Sequence, residues 1–225
     1  ASTEQGRPVL CGVHIFEKDG VTFEASDSYR LARKRFDRDM AGIDTLIPAT
    51  ALITARGVFA NDADVSLSMA NSDALVVLSD GNTILSSRVI DGRFPDIDRI
   101  IPQNYTTRIV VPASDLASRI KLAKYVAVSS SNIVRLDVAV LLDREGKLGI
   151  GANAAEVADL SDAIDVLATG KDTTIALNVI FLADAVGACG KGDIAIELQD
   201  GNRPAVLRAV GDDSMLQLLM PMTVR

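Results

Sequence analysis

Apolar and polar positions alternate over residues 9–36, VLCGVHIFEKDGVTFEASDSYRLARKRF. Val9, Cys11, Val13 and Ile15 fall on one side, and Leu10, Gly12, His14 and Phe16 on the other. A period of two is the pattern of a strand. Lys18-Asp19-Gly20 then supplies turn chemistry, and Val21 and Phe23 open a second strand, so the stretch predicts a β-hairpin. Residues 134–167 repeat the plan. Leu136, Val138 and Val140 alternate, Asp143-Arg144-Glu145-Gly146 turns, and Leu148 and Ile150 resume.

The stretches that follow the two hairpins also match. Residues 46–78 predict a strand end, Pro48, a short helix, and a strand through Val65, Leu67 and Met69. Residues 174–209 predict a strand, a helix over 179–188, and a strand through Ile194, Ile196 and Leu198. Gly20 aligns with Gly146 and Val65 with Ile194, a spacing of domain size. The chain therefore reads as two tandem α+β domains, residues 1–104 and 105–225, each built of antiparallel sheet with short helices on one face.

The copies differ at their starts. The second opens with a strand, Pro112, Ser114 as a helix cap, and an amphipathic helix with Leu116, Ile120 and Ala123 turned inward. Nothing comparable precedes the first hairpin, so the first domain is expected to lack its opening strand and helix. Residues 89–102, VIDGRFPDIDRIIP, close the first copy and lead into the second. A phenylalanine in so tight a connector is expected to pack inward, leaving Pro95 as a ledge.

Composition narrows the function. The net charge of −7 excludes a basic coat over the whole surface but permits one local basic face. Cys11 and Cys189 are too few for a disulfide scaffold and fit a reducing cytoplasm. The first residues, ASTEQGRP, carry no export signal, and no apolar run reaches the roughly 20 residues of a membrane helix. A single histidine, His14, permits no nucleophile–base pairing with a second imidazole and reads as structural. GACGKGD (187–193) lacks the spacing and hydroxyl of a phosphate loop and reads as a helix end with a glycine turn. GIGANA (149–154) is G-x-G inside a strand, and DSYR (27–30) is a turn with a local ion pair. No enzyme, metal site or cofactor is indicated.

Four motifs carry a resemblance: VIDGRFPD (89–96), ASDSYRLA (25–32), LNV (177–179) followed by Phe181, and MPM (220–222). Their order and spacing resemble the bacterial DNA polymerase III beta subunit, the sliding-clamp family, over essentially the whole chain as that family's second and third domains. The resemblance implies DNA-clamp (processivity-fold) domains and a non-catalytic role. Two three-domain subunits would close head to tail into a homodimeric ring around duplex DNA, held topologically and without sequence preference. It implies a cytoplasmic, nucleoid-associated protein and no cofactor. It also implies a hydrophobic groove at the domain junction that takes short motifs from the polymerase III alpha subunit, the clamp loader and repair proteins.

By motif match, the groove draws Leu10, Ser26, Ser28, Tyr29, Arg30, Leu31, Pro95, Arg99 and Ile100 from the first copy and connector. The second copy supplies Asn178, Phe181, Pro204, Leu218, Leu219, Met220, Pro221 and Met222. Arg7, Arg56, Arg119, Lys121 and Lys124 are the DNA-facing candidates, and Val126 and Val128 are expected on a sheet margin at the subunit edge. Two departures stand out: PATA (48–51) lacks basic residues at its helix start, and Thr223 stands where the family commonly has arginine. A clamp-derived peptide adaptor that does not encircle DNA is the alternative, and a hydrolase using Asp27 and Arg30 a more distant one.

Overall fold

In the first half of the chain, the alternation of Val13 and Ile15 with His14 and Phe16 forms β1 (Gly12–Glu17). It pairs antiparallel with β2 (Val21–Ser26), which pairs in turn with β3 (Arg30–Phe36). The other edge of β1 takes β4 (Asp44–Pro48), giving the order β3-β2-β1-β4. Pro48 cannot extend the ladder and sits at the cap of α1 (Ala49–Val58). A meander of β5 (Ser66–Ala70), β6 (Leu75–Ser79) and β7 (Ile84–Arg88) makes a separate three-stranded sheet. Ile15, Val21 and Ile47 from one sheet, Ala55 and Phe59 from the helix and its end, and Val76 and Leu78 from the other form the core.

The computed structural model describes residues 1–40, 42–154 and 158–223, and the chain divides into units of residues 1–96 and 97–225. The division falls ahead of the 104/105 boundary read from the sequence, because residues 97–104 go with the second unit.

The second unit begins with β8 (Thr107–Pro112) and α2 (Ala113–Ala127), then β9 (Ile133–Val140), β10 (Glu145–Ala154) and β11 (Ala158–Gly170). β12 (Thr173–Asn178), α3 (Val179–Cys189), β13 (Asp193–Leu198), β14 (Ala205–Ala209) and β15 (Met215–Leu219) follow. Their order is β12-β9-β10-β11-β8-β13-β14-β15, all antiparallel. Leu116, Ile120, Ala123 and Ala127 are spaced three and four apart, which places them on one stripe of α2. That stripe packs with Leu182, Ala185 and Val186 of α3 against Ile109, Leu136, Leu148 and Ile196 of the sheet. Each buried aliphatic side chain of this kind stabilises by about 1.5–3 kcal/mol.

The repeat is literal. β4 lies beside β1 as β12 lies beside β9, a helix follows each, and the meanders β5-β6-β7 and β13-β14-β15 correspond. β8 and α2 have no counterpart among the described residues of the first unit. No helix among those residues is long and apolar enough to cross a membrane.

Three local expectations are corrected. Residues Pro8–Cys11 form a 3₁₀ turn rather than the start of the strand, since Pro8 fixes φ and Leu10 N donates to Arg7 O at 3.0 Å. Ser114 does not cap α2. Pro112 occupies the cap, the helix starts at Ala113, and the Ser114 hydroxyl donates to Asp115 Oδ1 at 3.2 Å. Val126 and Val128 lie at the end of α2, not on a sheet margin. Val126 packs on the core and Val128 is the exposed C-cap.

Candidate functional site

The ASDSYRLA segment turns from β2 into β3 through side-chain chemistry. Ser26 Oγ donates to Arg30 O at 3.0 Å and accepts from Ser28 N at 3.2 Å. Asp27 Oδ1 accepts from the amides of Tyr29 and Arg30, both at 3.0 Å, and its Oδ2 takes Arg30 Nε at 2.9 Å. Ser28 adopts φ 76° at the apex. The turn holds Tyr29 outward, 64% exposed, and Leu31 inward, 2% exposed. Leu10 is buried in the same unit. The Asp27 carboxylate is thus committed to turn geometry and to Arg30, the ion pair read from the sequence. Ser26 and Asp27 shape the loop, and neither is set up as a nucleophile or base.

In the second unit, Asn178 ends β12 and caps α3. Its Oδ1 accepts from Ile180 N at 2.9 Å and Phe181 N at 3.3 Å, satisfying two amides the helix leaves open. Phe181, Pro204, Pro221 and Met222 are partly buried, and Leu218 and Leu219 are fully buried. Met220 is exposed. Arg99 and Ile100 at the start of this unit are exposed, as is Pro95 at the end of the first, whereas Phe94 is buried as expected. Within their own units, the candidate groove residues therefore divide into exposed groups, chiefly Tyr29, Pro95, Ile100 and Met220, and buried ones, chiefly Leu10, Leu31, Leu218 and Leu219.

The basic candidates are not equivalent. Lys121 and Lys124 are exposed on the side of α2 that turns away from its buried stripe, beside Leu122 and Tyr125. Arg119 is partly buried and its Nη1 lies 3.0 Å from Asp162 Oδ2, so a neighbouring carboxylate already meets its charge. Arg56 is exposed in the last turn of α1, and Arg7 donates to Ser28 Oγ at 3.2 Å. GACGKGD is the predicted helix end: α3 stops at Cys189, and Gly190 caps it with φ 80°. GIGANA lies inside β10 up to residue 154. Among the described residues, no three metal-ligating side chains converge.

Sequence reasoning missed the partners of His14. Its Nδ1 is 3.0 Å from Glu24 Oε1 and its Nε2 2.8 Å from Asp44 Oδ1. Glu24 arrives across the β1-β2 hairpin, directly opposite His14, and Asp44 from β4 on the other side, both through strand register. Burial lowers the proton affinity of the imidazole, and hydrogen bonds and charge from both carboxylates outweigh it, so His14 titrates above its ordinary value.

Two successive repeats of one sheet-and-helix plan define a clamp-type, processivity-fold chain. Residues 1–96 match the family model for the DNA polymerase III beta subunit, central domain, and residues 98–223 the one for its C-terminal domain. The chain belongs to the DNA polymerase III beta subunit family. It is 28% identical over 182 residues to the beta sliding clamp of Streptococcus pneumoniae serotype 4, covering 78% of this chain and 46% of that protein. It is 25% identical over 226 residues to the beta sliding clamp of Staphylococcus aureus strain Mu50, covering 98% and 58%. Among solved structures, DNA polymerase III beta chain from S. pneumoniae superposes with TM-score 0.90 at 28% identity, over all of this chain and 60% of that one. The DNA polymerase sliding clamp from Bacillus subtilis superposes with TM-score 0.92 at 23% identity and the same coverage. The chain spans about half the length of the curated relatives it matches.

Proposed function

We propose that this chain is the central and C-terminal part of a DNA polymerase processivity factor. In this reading the whole protein is non-catalytic, cytoplasmic and nucleoid-associated, closes as a homodimer around duplex DNA, and tethers the polymerase III alpha subunit and clamp loader. The observation that carries it is the match of both family domains, in order, onto two copies of one structural repeat. Relatives named beta sliding clamp support the same reading.

In the proposed groove, Pro95, Ile100, Tyr29 and Met220 are the exposed groups that would touch a peptide, with Arg30 and Arg99 orienting its polar atoms. The buried Leu10, Leu31, Leu218 and Leu219 would support them from below. Methionine suits a surface that accepts several partners, because its side chain repacks easily. Lys121 and Lys124 would face the phosphate backbone, with Arg7 and Arg56 as further contacts. Arg119, engaged with Asp162, would contribute less.

Primer extension by the polymerase on a primed circular template, with the full-length protein, tests this. Long products per binding event are expected, and they should be lost when the template is linear and open-ended. Equal product lengths with and without the protein contradict the proposal.

A further inference from the structure

The face of β3-β2-β1-β4 that points away from Ile15, Val21 and Ile47 carries a charged row set by register. His14 on β1 stands opposite Glu24 on β2, and Glu24 stands opposite Arg33 on β3. Asp44 on β4 lies diagonally across from His14. Glu24 is 4% exposed; its Oε2 accepts from Arg33 Nε at 3.0 Å and Nη2 at 2.8 Å, while its Oε1 meets His14 Nδ1. Negative and positive groups therefore alternate across four strands: Asp44, His14, Glu24, Arg33.

Both ring nitrogens of His14 face carboxylate oxygens. Ionised carboxylates only accept, so both nitrogens must donate, and only the imidazolium does that. A neutral ring would turn one bare lone pair toward a carboxylate.

The connector folds over this row. Ile90 N donates to Leu46 O at 2.8 Å. Phe94, 6% exposed between exposed Arg93 and Pro95, stacks on His14 with ring centroids 5.2 Å apart and an interplanar angle of 30°. Phe16 stacks on the same imidazole at 4.6 Å and 22°. A cation beside aromatic faces is attracted by their quadrupole, more strongly when partly dehydrated. Gly12 permits this close passage: a Cβ there would meet Leu46 Cδ1 at 2.7 Å and Ile90 Cδ1 at 3.0 Å.

We propose that His14 is held as an imidazolium and latches the connector onto the first unit through Phe94, so that loss of its proton to solvent releases the connector. The groups that face His14 are Glu24 from β2, Asp44 from β4, Arg33 from β3 acting through Glu24, and the uncharged Phe16 and Phe94. Because Pro95 directly follows Phe94, the latch also sets the ledge assigned to the peptide groove. That consequence rests on the proposed function, whereas the latch does not.

Nitrogen-15 NMR of the His14 ring across pH, with the Phe94 ring protons followed in the same samples, tests the latch without any DNA or peptide. The expected result is two protonated ring nitrogens at neutral pH, a midpoint above that of free histidine, and Phe94 shifts that move with the same midpoint. Asp44→Ala removes an acceptor whose side chain is 79% exposed, so the fold tolerates it. The midpoint should move to lower pH, with Phe94 following. In His14→Gln the Phe94 shifts should no longer depend on pH in that range. A neutral His14 at neutral pH, or a Phe94 ring that stays fixed while His14 titrates, overturns the proposal.

Discussion

The backbone N–H of Met222 donates to the carbonyl of Ala176 at 2.8 Å, pinning the Met-Pro-Met tail to edge strand β12. Ala176 lies two residues before Asn178, so the tail is tied to the strand that leads into the cap of α3. Asn178→Ala leaves two helix amides without their acceptor. It should cost about 1 kcal/mol in urea denaturation, while Asn178→Asp should cost less.

On α2, Lys121 and Lys124 share the exposed side, whereas Arg119 Nη1 lies 3.0 Å from Asp162 Oδ2. Lys121→Glu with Lys124→Glu should remove most of whatever weak, salt-dependent affinity this chain has for linear duplex. Arg119→Gln should change that affinity less and the stability more. Fluorescence anisotropy at several salt concentrations separates the two outcomes.

Gly170 ends β11 at φ +105°, and a Cβ there would meet Thr106 O at 1.9 Å and Thr107 Cα at 2.9 Å. Gly170→Ala therefore combines a disfavoured backbone conformation, on the order of 1–3 kcal/mol, with a collision against backbone that cannot rotate away. Thermal unfolding should show a lower Tm, whereas Gly187→Ala, with open space around its Cβ position, should be close to neutral.

The raised proton affinity of His14 makes a signed prediction for stability. A group whose folded pKa exceeds its unfolded value contributes fully below the unfolded value, about 6.5 for histidine. That contribution fades as pH rises through the folded value. Urea midpoints of the parent should therefore fall across this window relative to those of His14→Gln. Parallel pH profiles for the two proteins contradict the assignment.

The sequence reveals the repeat because both hairpins, both short helices and both closing strands keep their own periodicities, from Val13–Ile15 and Leu136–Val140 onward. It misplaces the chain at Val9–Cys11, where alternation continues through a segment whose proline dictates a turn. It misplaces the α2 cap because Pro112 takes that position and the helix starts at Ala113, one residue before Ser114. Burial of Leu31 and Leu218 was not legible, since a motif identifies neighbours in sequence and not how deeply a side chain sits. The His14 partners were hidden for a related reason: Glu24 and Asp44 reach the ring only through the pairing of β1 with β2 and β4.

Calorimetry of the 225-residue chain with a short peptide carrying a leucine and an aromatic near its end tests the central claim most directly. Two apolar anchors each gain roughly 1.5–3 kcal/mol on burial, and ordering the peptide offsets much of this. The expected affinity is about micromolar, on the order of −8 kcal/mol. Arg99→Ala should weaken it modestly. Met220→Asp, at a side chain 38% exposed, should nearly abolish it while the chain stays folded. Leu31→Asp is no fair probe of the groove, because a carboxylate at a position 2% exposed should unfold the first unit. Micromolar binding lost in folded Met220→Asp is the result the account predicts; parent-like binding by folded Met220→Asp, or no binding by the parent, contradicts it.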